Sequence, residues 1–96
     1  MPVRLKLERD VRDPCVKWAK DHGWLHIRLH FGRGAARGWP DDVFIKKGRV
    51  SFVEFKRPSG CPTALQQMRI KALCDERVQA FWTDSVNHFK AVLLRP

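Results

Sequence analysis

Asp41, Glu54 and Lys56 are the residues whose types and spacing could do chemistry. They lie in GWPDDVFIKKGRVSFVEFK, which runs from Gly38 to Lys56. Residues 41–46 and 49–56 read as two strands around a Lys47-Gly48 turn, the pattern of a β-hairpin. With those two turn residues, Lys46 faces Arg49, Ile45 faces Val50, Val43 faces Phe52 and Asp41 faces Glu54. Cross-strand partners share one face of a sheet and lie close enough to touch. Strand alternation then puts Lys56 on the face of Glu54 and turns Asp42 to the other side. A slip of one residue in the turn would exchange Asp42 for Asp41.

Carboxylates directly opposite one another repel, and the pair needs a proton or a cation between them. An oxygen-rich pair suits a hard divalent ion, Mg²⁺ or Mn²⁺. Such an ion polarises a phosphoryl oxygen and activates water, and Lys56 could offset charge at the attacked phosphate or hold the water. A structural salt bridge, Glu54 with Lys56 and Asp41 beside them at a solvated strand end, explains the same spacing. The spacing alone leaves both readings open.

The elements that must position these residues form one small domain spanning residues 1–96. Residues 4–22 read as helical, with Leu5, Val11, Cys15, Trp18 and Ala19 near helical spacing and Gly23 as the stop. Asp13-Pro14 reads as an N-cap followed by a first helical position, so this helix either kinks or starts twice. WLHIRLHF alternates as a strand, with Leu25, Ile27, Leu29 and Phe31 on one face and Trp24, His26, Arg28 and His30 on the other. A basic loop, GRGAARG, follows it. Beyond the hairpin come a helix over 64–75, a short strand over 78–82 and a helix over 85–94. The order is α-β-β-β-α-β-α, an α/β domain with a mixed sheet flanked by helices.

With 19 Lys and Arg against 10 Asp and Glu, the net charge is +9, which calls for a polyanionic partner, nucleic acid before membrane. No apolar run approaches transmembrane length and no signal-peptide core opens the chain, so a cytoplasmic protein is expected. Three widely spaced cysteines fit reduced thiols rather than a disulfide framework. His22, His26 and His30 recur every four residues, as zinc ligands on a helix would. The strand alternation places them otherwise, with His26 and His30 beside Arg28 on a face turned to solvent or nucleic acid, and zinc is not expected. Of the four tryptophans, Trp18 and Trp82 read as core. Trp39, in the basic loop, is the one placed to stack on a base.

GWPD, Glu54 in VEFK thirteen positions after Asp41, and Gln66 on the next helix together resemble the virus-type replication-repair nuclease (VRR-NUC) family of the PD-(D/E)XK superfamily. The resemblance runs from Glu8 to the final strand and implies a restriction-endonuclease-like fold. It implies Asp41 and Glu54 as metal ligands with the Phe55 backbone carbonyl, Lys56 as the catalytic lysine and Gln66 as a further catalytic residue. Glu8 matches the acid on the first helix, with Asp10 as the alternative because Pro14 interrupts that helix. Mg²⁺ or Mn²⁺ is the implied cofactor and DNA the implied substrate. Short stand-alone members resemble homodimeric junction-resolving enzymes, which implies a C₂ dimer acting on branched DNA, or flap processing within the same class. Outside it stand a non-catalytic nucleic-acid-binding module and a regulatory protein on an inactive nuclease fold.

Local sequence also explains some of these residues without chemistry. TALQ is a capping box, with Thr63 as N-cap and Gln66 three residues on. Gly38 and Pro40 shape the entry to the strand. Arg33, Arg37, Lys46, Lys47, Arg49 and Arg57 are the candidates for phosphate contacts, alongside Trp39.

Overall fold

The computed structural model describes residues 7–29 and 37–96. Three helices and four strands follow one another as α1 (Glu8–Asp21), β1 (Leu25–Arg28), β2 (Asp42–Lys46), β3 (Arg49–Phe55), α2 (Ala64–Asp75), β4 (Gln79–Thr83) and α3 (Val86–Leu93). The sheet order is β1-β2-β3-β4. The first three strands pair antiparallel and β4 runs parallel to β3, so the sheet is mixed. The parallel pair needs a crossover, and α2 supplies it.

Helix α1 is one continuous element. Its first turn is closed by Asp10, whose carboxylate accepts from the Leu7 N–H at 3.0 Å. The second start expected at Asp13-Pro14 does not occur, and Pro14 lies inside the helix on its exposed side. A proline there costs about 3 kcal/mol. Val11, Cys15 and Ala19, one helical turn apart and fully buried, sit on both sides of it. Burying one Val-sized side chain contributes about 1.5–3 kcal/mol, so packing holds the helix through the proline.

The core lies between one sheet face and helices α1 and α3. Phe44, Val53 and Phe55 from the sheet meet Phe89, Val92 and Leu93 of α3 and the buried row of α1. Phe44 and Phe89 form an edge-to-face pair with ring centroids 5.0 Å apart. Trp18 packs against this cluster and Trp24 belongs to it; Trp82 is only half-buried. Helix α2 buries no residue and leaves Met68 exposed.

The alternation of β1 is as read, but its faces are reversed with respect to water. Trp24 is buried and the His26 ring stacks on Phe44 at 4.9 Å, whereas Leu25 and Ile27 are exposed at 57% and 41%. The expectation that His26 faces solvent or nucleic acid is therefore corrected. Asp42 lies buried on the inner face and draws His26 and Arg28 towards it; His30 and Phe31 lie outside the described residues.

The hairpin tip carries a second correction. Arg49 donates to the carbonyls of Val92 (3.1 Å), Leu93 (2.9 Å) and Arg95 (2.6 Å) and lies over the Trp24 ring. Lys46 donates to the His22 carbonyl at 2.8 Å. Cations at helix C-termini satisfy orphan carbonyls and offset the helix dipole. Arg49 and Lys46 therefore hold α3 and α1 in place, a structural role that the reading as phosphate contacts does not include. The free thiols are Cys15, Cys61 and Cys74.

Candidate active site

The site begins with the turn. Lys47 and Gly48 both have positive φ, 48° and 85°, which is the type I′ geometry of a two-residue hairpin. Its register pairs Lys46 with Arg49, Ile45 with Val50 and Val43 with Phe52, down to Asp42 with Val53. One step further it sets Asp41 opposite Glu54. In a two-residue hairpin that step is a non-hydrogen-bonded pair, where facing side chains come closest. The Asp41 carbonyl accepts from Leu29 N–H at 2.6 Å, on the β1 side, as that pairing requires.

Glu54 is buried, with 4% exposure. Its carboxyl is pushed up to about 7, first by burial, then by the charge of Asp41; Lys56 acts in the opposite sense, and Glu8 adds a smaller upward push. Lys56 Nζ lies 3.9 Å from Glu54 Oε2. Asp42 points to the core side, 1% exposed. It accepts from His26 Nε2 at 2.7 Å and from Arg28 at 3.2 Å. Its carboxylate is thus occupied, and of the two neighbouring aspartates Asp41 is the one turned to Glu54.

The Phe55 side chain is core, but its carbonyl has a different fate. Lys56 N–H donates to the Thr83 carbonyl at 2.8 Å, towards β4. In a trans peptide the C=O points opposite to the N–H, so the Phe55 oxygen is directed to the β2 side. The hairpin register would bring residue 40 there as the hydrogen-bonding partner. Residue 40 is a proline and has no N–H to give. Pro40 therefore leaves the Phe55 oxygen unclaimed by the ladder on the side where Asp41 meets Glu54.

Two carboxylates and a peptide oxygen make a hard, oxygen-only donor set. Mg²⁺ characteristically takes one or two carboxylates and completes its shell with water and substrate phosphate, and the pair of buried Glu54 and half-buried Asp41 fits such an ion. Among the described residues no group of three or more His, Cys, Asp or Glu side chains is placed to cage a metal. Glu8, at the first turn of α1, reaches Glu54 electrostatically and pairs with Arg12 at 3.1 Å. Asp10, the alternative, is occupied in closing the helix start.

Gln66 is where the capping box puts it. Its side-chain oxygen accepts from Thr63 N–H at 2.9 Å, and its own N–H donates to Thr63 Oγ1 at 3.1 Å. Its side-chain oxygen keeps a second lone pair and its amide NH₂ two donors for any further contact. Arg57 is exposed and lines a pocket with Lys56 and Glu8. Trp39 lies under the Arg69 guanidinium at 4.8 Å, and Arg69 also donates to the Arg37 carbonyl at 3.1 Å. That fastens the end of the basic loop to α2. Arg33 lies outside the described residues.

The His26–Asp42–Arg28 cluster is not legible from motifs, although the facing positions of Arg28 and Asp42 follow once β1 is paired with β2. Removing the acid strands a half-exposed cation and a buried imidazole. Asp42→Ala is expected to cost about 2–3 kcal/mol, less than a fully buried pair because Arg28 reaches water. That lowers the melting temperature by about 10 °C or more in a domain of this size. Asp42→Asn, which keeps one acceptor, should lose less; equal melting of Asp42→Ala and the parent would show that the cluster does not hold the strand.

A scan against protein-family models finds no match to this chain, and a search of curated proteins finds no significant relative.

Proposed function

We propose that the chain is a metal-dependent phosphodiesterase on an α/β nuclease fold. More particularly, we read it as a DNA endonuclease of the VRR-NUC type, selective for branched DNA and working as a homodimer. The observation that carries this reading is the meeting of Asp41 and Glu54 on one face of the hairpin, in a buried setting that raises Glu54, with Lys56 beside them.

Asp41, Glu54 and the Phe55 carbonyl would hold Mg²⁺ or Mn²⁺. When bound, the ion supplies Lewis-acid polarisation of the scissile phosphate and lowers the pKa of water. Lys56, its ammonium fixed near Glu54, places positive charge where the attacked phosphate gains negative charge. It also has donors to orient a water for in-line attack. Gln66 would offer NH₂ donors to a phosphate oxygen or that water, and its side-chain oxygen retains one acceptor lone pair. Arg37 and Arg57 would track the phosphate backbone, which positions DNA without reading its sequence.

The dimer finds support in β1. It is an edge strand with apolar Leu25 and Ile27 exposed, and a sheet edge can pair with another strand. A second copy related by a twofold axis would put two sites on one substrate. No helix among the described residues is long and apolar enough to cross a membrane.

A binding module without catalysis keeps one specific point in its favour: the Glu54–Lys56 ion pair and the Thr63–Gln66 box each satisfy their own members. Cleavage decides between the two. Single-stranded, duplex, flap and four-way-junction DNA are incubated with Mg²⁺, Mn²⁺ or EDTA, alongside equilibrium sedimentation. The expected result is metal-dependent cutting, strongest on the junction, by a species of twice 11.2 kDa. Binding without cutting in either metal would leave the module. A monomer that cuts flaps and spares junctions would move the function to flap processing.

A further inference from the structure

Beside the carboxylate pair lies a pocket of about 440 Å³ lined by Glu8, Lys56, Arg57, Ser59, Gly60 and Cys61. Its outer wall is a tight turn after β3, and three features show that the turn is held rather than loose. Gly60 N–H donates to the Arg57 carbonyl at 2.8 Å. Ser59 sits at φ 65°, a left-handed conformation that a non-glycine residue adopts only when its surroundings impose it. Its N–H donates to the Asp84 carboxylate, 3.2 Å away on the β4–α3 connection. A side chain on Gly60 would come within 2.9 Å of the Arg57 carbonyl and 3.4 Å of Lys56 Cβ. Only glycine lets the wall fold this closely onto the catalytic strand.

We propose that this pocket is a subsite for one unpaired nucleotide adjoining the phosphate held at Asp41 and Glu54. The inference deepens the nuclease reading and rests on it. The volume falls within the range of small-ligand sites, about 300–1,000 Å³, enough for one nucleotide and not for a base pair with both its backbones. Lys56 and Arg57 supply two cations for its phosphate. Glu8, the acid in the lining, is already paired with Arg12. Ser59, Gly60 and Cys61 give a short, uncharged rim that admits a base. A nucleotide reaches such a pocket only by leaving its stack, which costs least when the base is already unpaired. Selectivity for branched DNA would thus arise within each protomer, from the strand exchange point itself, independently of any dimer.

The test has two arms. In the first, thymidine 5′-monophosphate is titrated into the full chain in EDTA and followed by backbone amide NMR shifts. Saturable shifts centred on residues 56–61 are expected, and Arg57→Glu, a change at an exposed position, should weaken them at least tenfold. In the second, cleavage is compared on two matched duplexes, one with a single unpaired nucleotide at the cut and one fully paired. The parent should prefer the first by at least about tenfold, and Arg57→Glu or Gly60→Ala should collapse that ratio towards one. Shifts lying elsewhere, or Arg57→Glu slowing both duplexes by the same factor, would overturn the subsite and leave the nuclease standing. If no DNA is cut in either metal while the nucleotide still binds at 56–61, the subsite stands and the nuclease reading fails.

Discussion

Glu54→Gln is expected to abolish cleavage and, in metal-free buffer at pH 8, to stabilise the protein. Both effects have one cause. The folded Glu54 carboxyl sits near 7 because it is buried and faces Asp41, while in the unfolded chain it returns to its ordinary value, 4.5. Below that value both states hold the proton and nothing is lost. Between 4.5 and 7 the unfolded chain releases it and the folded chain keeps it, so stability falls as pH rises through this window. Above it the full penalty applies, on the order of 3–4 kcal/mol at about 1.4 kcal/mol for each pKa unit. Glutamine removes the charge and keeps the shape. The melting temperature in EDTA should therefore rise by more than about 10 °C at pH 8 and change little at pH 4. Saturating Mg²⁺ or Mn²⁺ should stabilise the parent and not the variant, which closes the gap.

The same substitution withdraws a proposed metal ligand. Metal assistance contributes several kcal/mol to the transition state, so the loss in kcat should be on the order of 10³-fold or more. Asp41→Ala should be equally inactive, with DNA binding intact or tighter because a repulsive charge has gone. Asp42→Asn should keep most of its activity. Inactive Asp42→Asn beside active Asp41→Ala would overturn the assignment of the two aspartates. No gain in stability from Glu54→Gln in EDTA would mean that Lys56 already neutralises the site, as a structural ion pair would.

A steep loss of DNA affinity with salt is the second large effect. With about five phosphates neutralised per protomer, log K falls against log salt with a slope of roughly −4 to −5. Raising salt from 50 to 200 mM then weakens binding by several-hundred-fold, on the order of 4 to the power 4.5. The structure divides the basic residues into two groups. Arg37 and Arg57 are exposed and Arg57 lines the pocket beside Lys56, and Arg37→Ala should weaken every DNA form by a similar factor and make the slope shallower by about one contact. Arg49 is engaged with three carbonyls at the end of α3. Arg49→Ala should lower the melting temperature and leave the slope unchanged. A slope near zero for the parent would remove nucleic acid as the meaning of the +9 charge.

Much of the site was legible because its geometry is local to the chain. Lys47-Gly48 selects the turn, the turn selects the register, and the period of two carries that register to Asp41, Glu54 and Lys56. The helix over Ala64–Asp75 begins where Thr63 and Gln66 cap one another, a signal contained in four residues. Tertiary structure decided what depends on distant partners. Alternation in β1 separates two faces, but it took the buried Asp42 and Phe44 to turn His26 inward and leave Leu25 and Ile27 in water. Pro14 read as a helix start, yet burial of Val11, Cys15 and Ala19 against the sheet carries the helix through it. Arg49 and Lys46 read as candidates for phosphate contacts until α3 and α1 brought their carbonyl ends alongside. Short-range sterics and hydrogen-bond parity are fixed by neighbours in sequence, whereas burial and the pairing of charges are fixed by whichever elements come to lie against them.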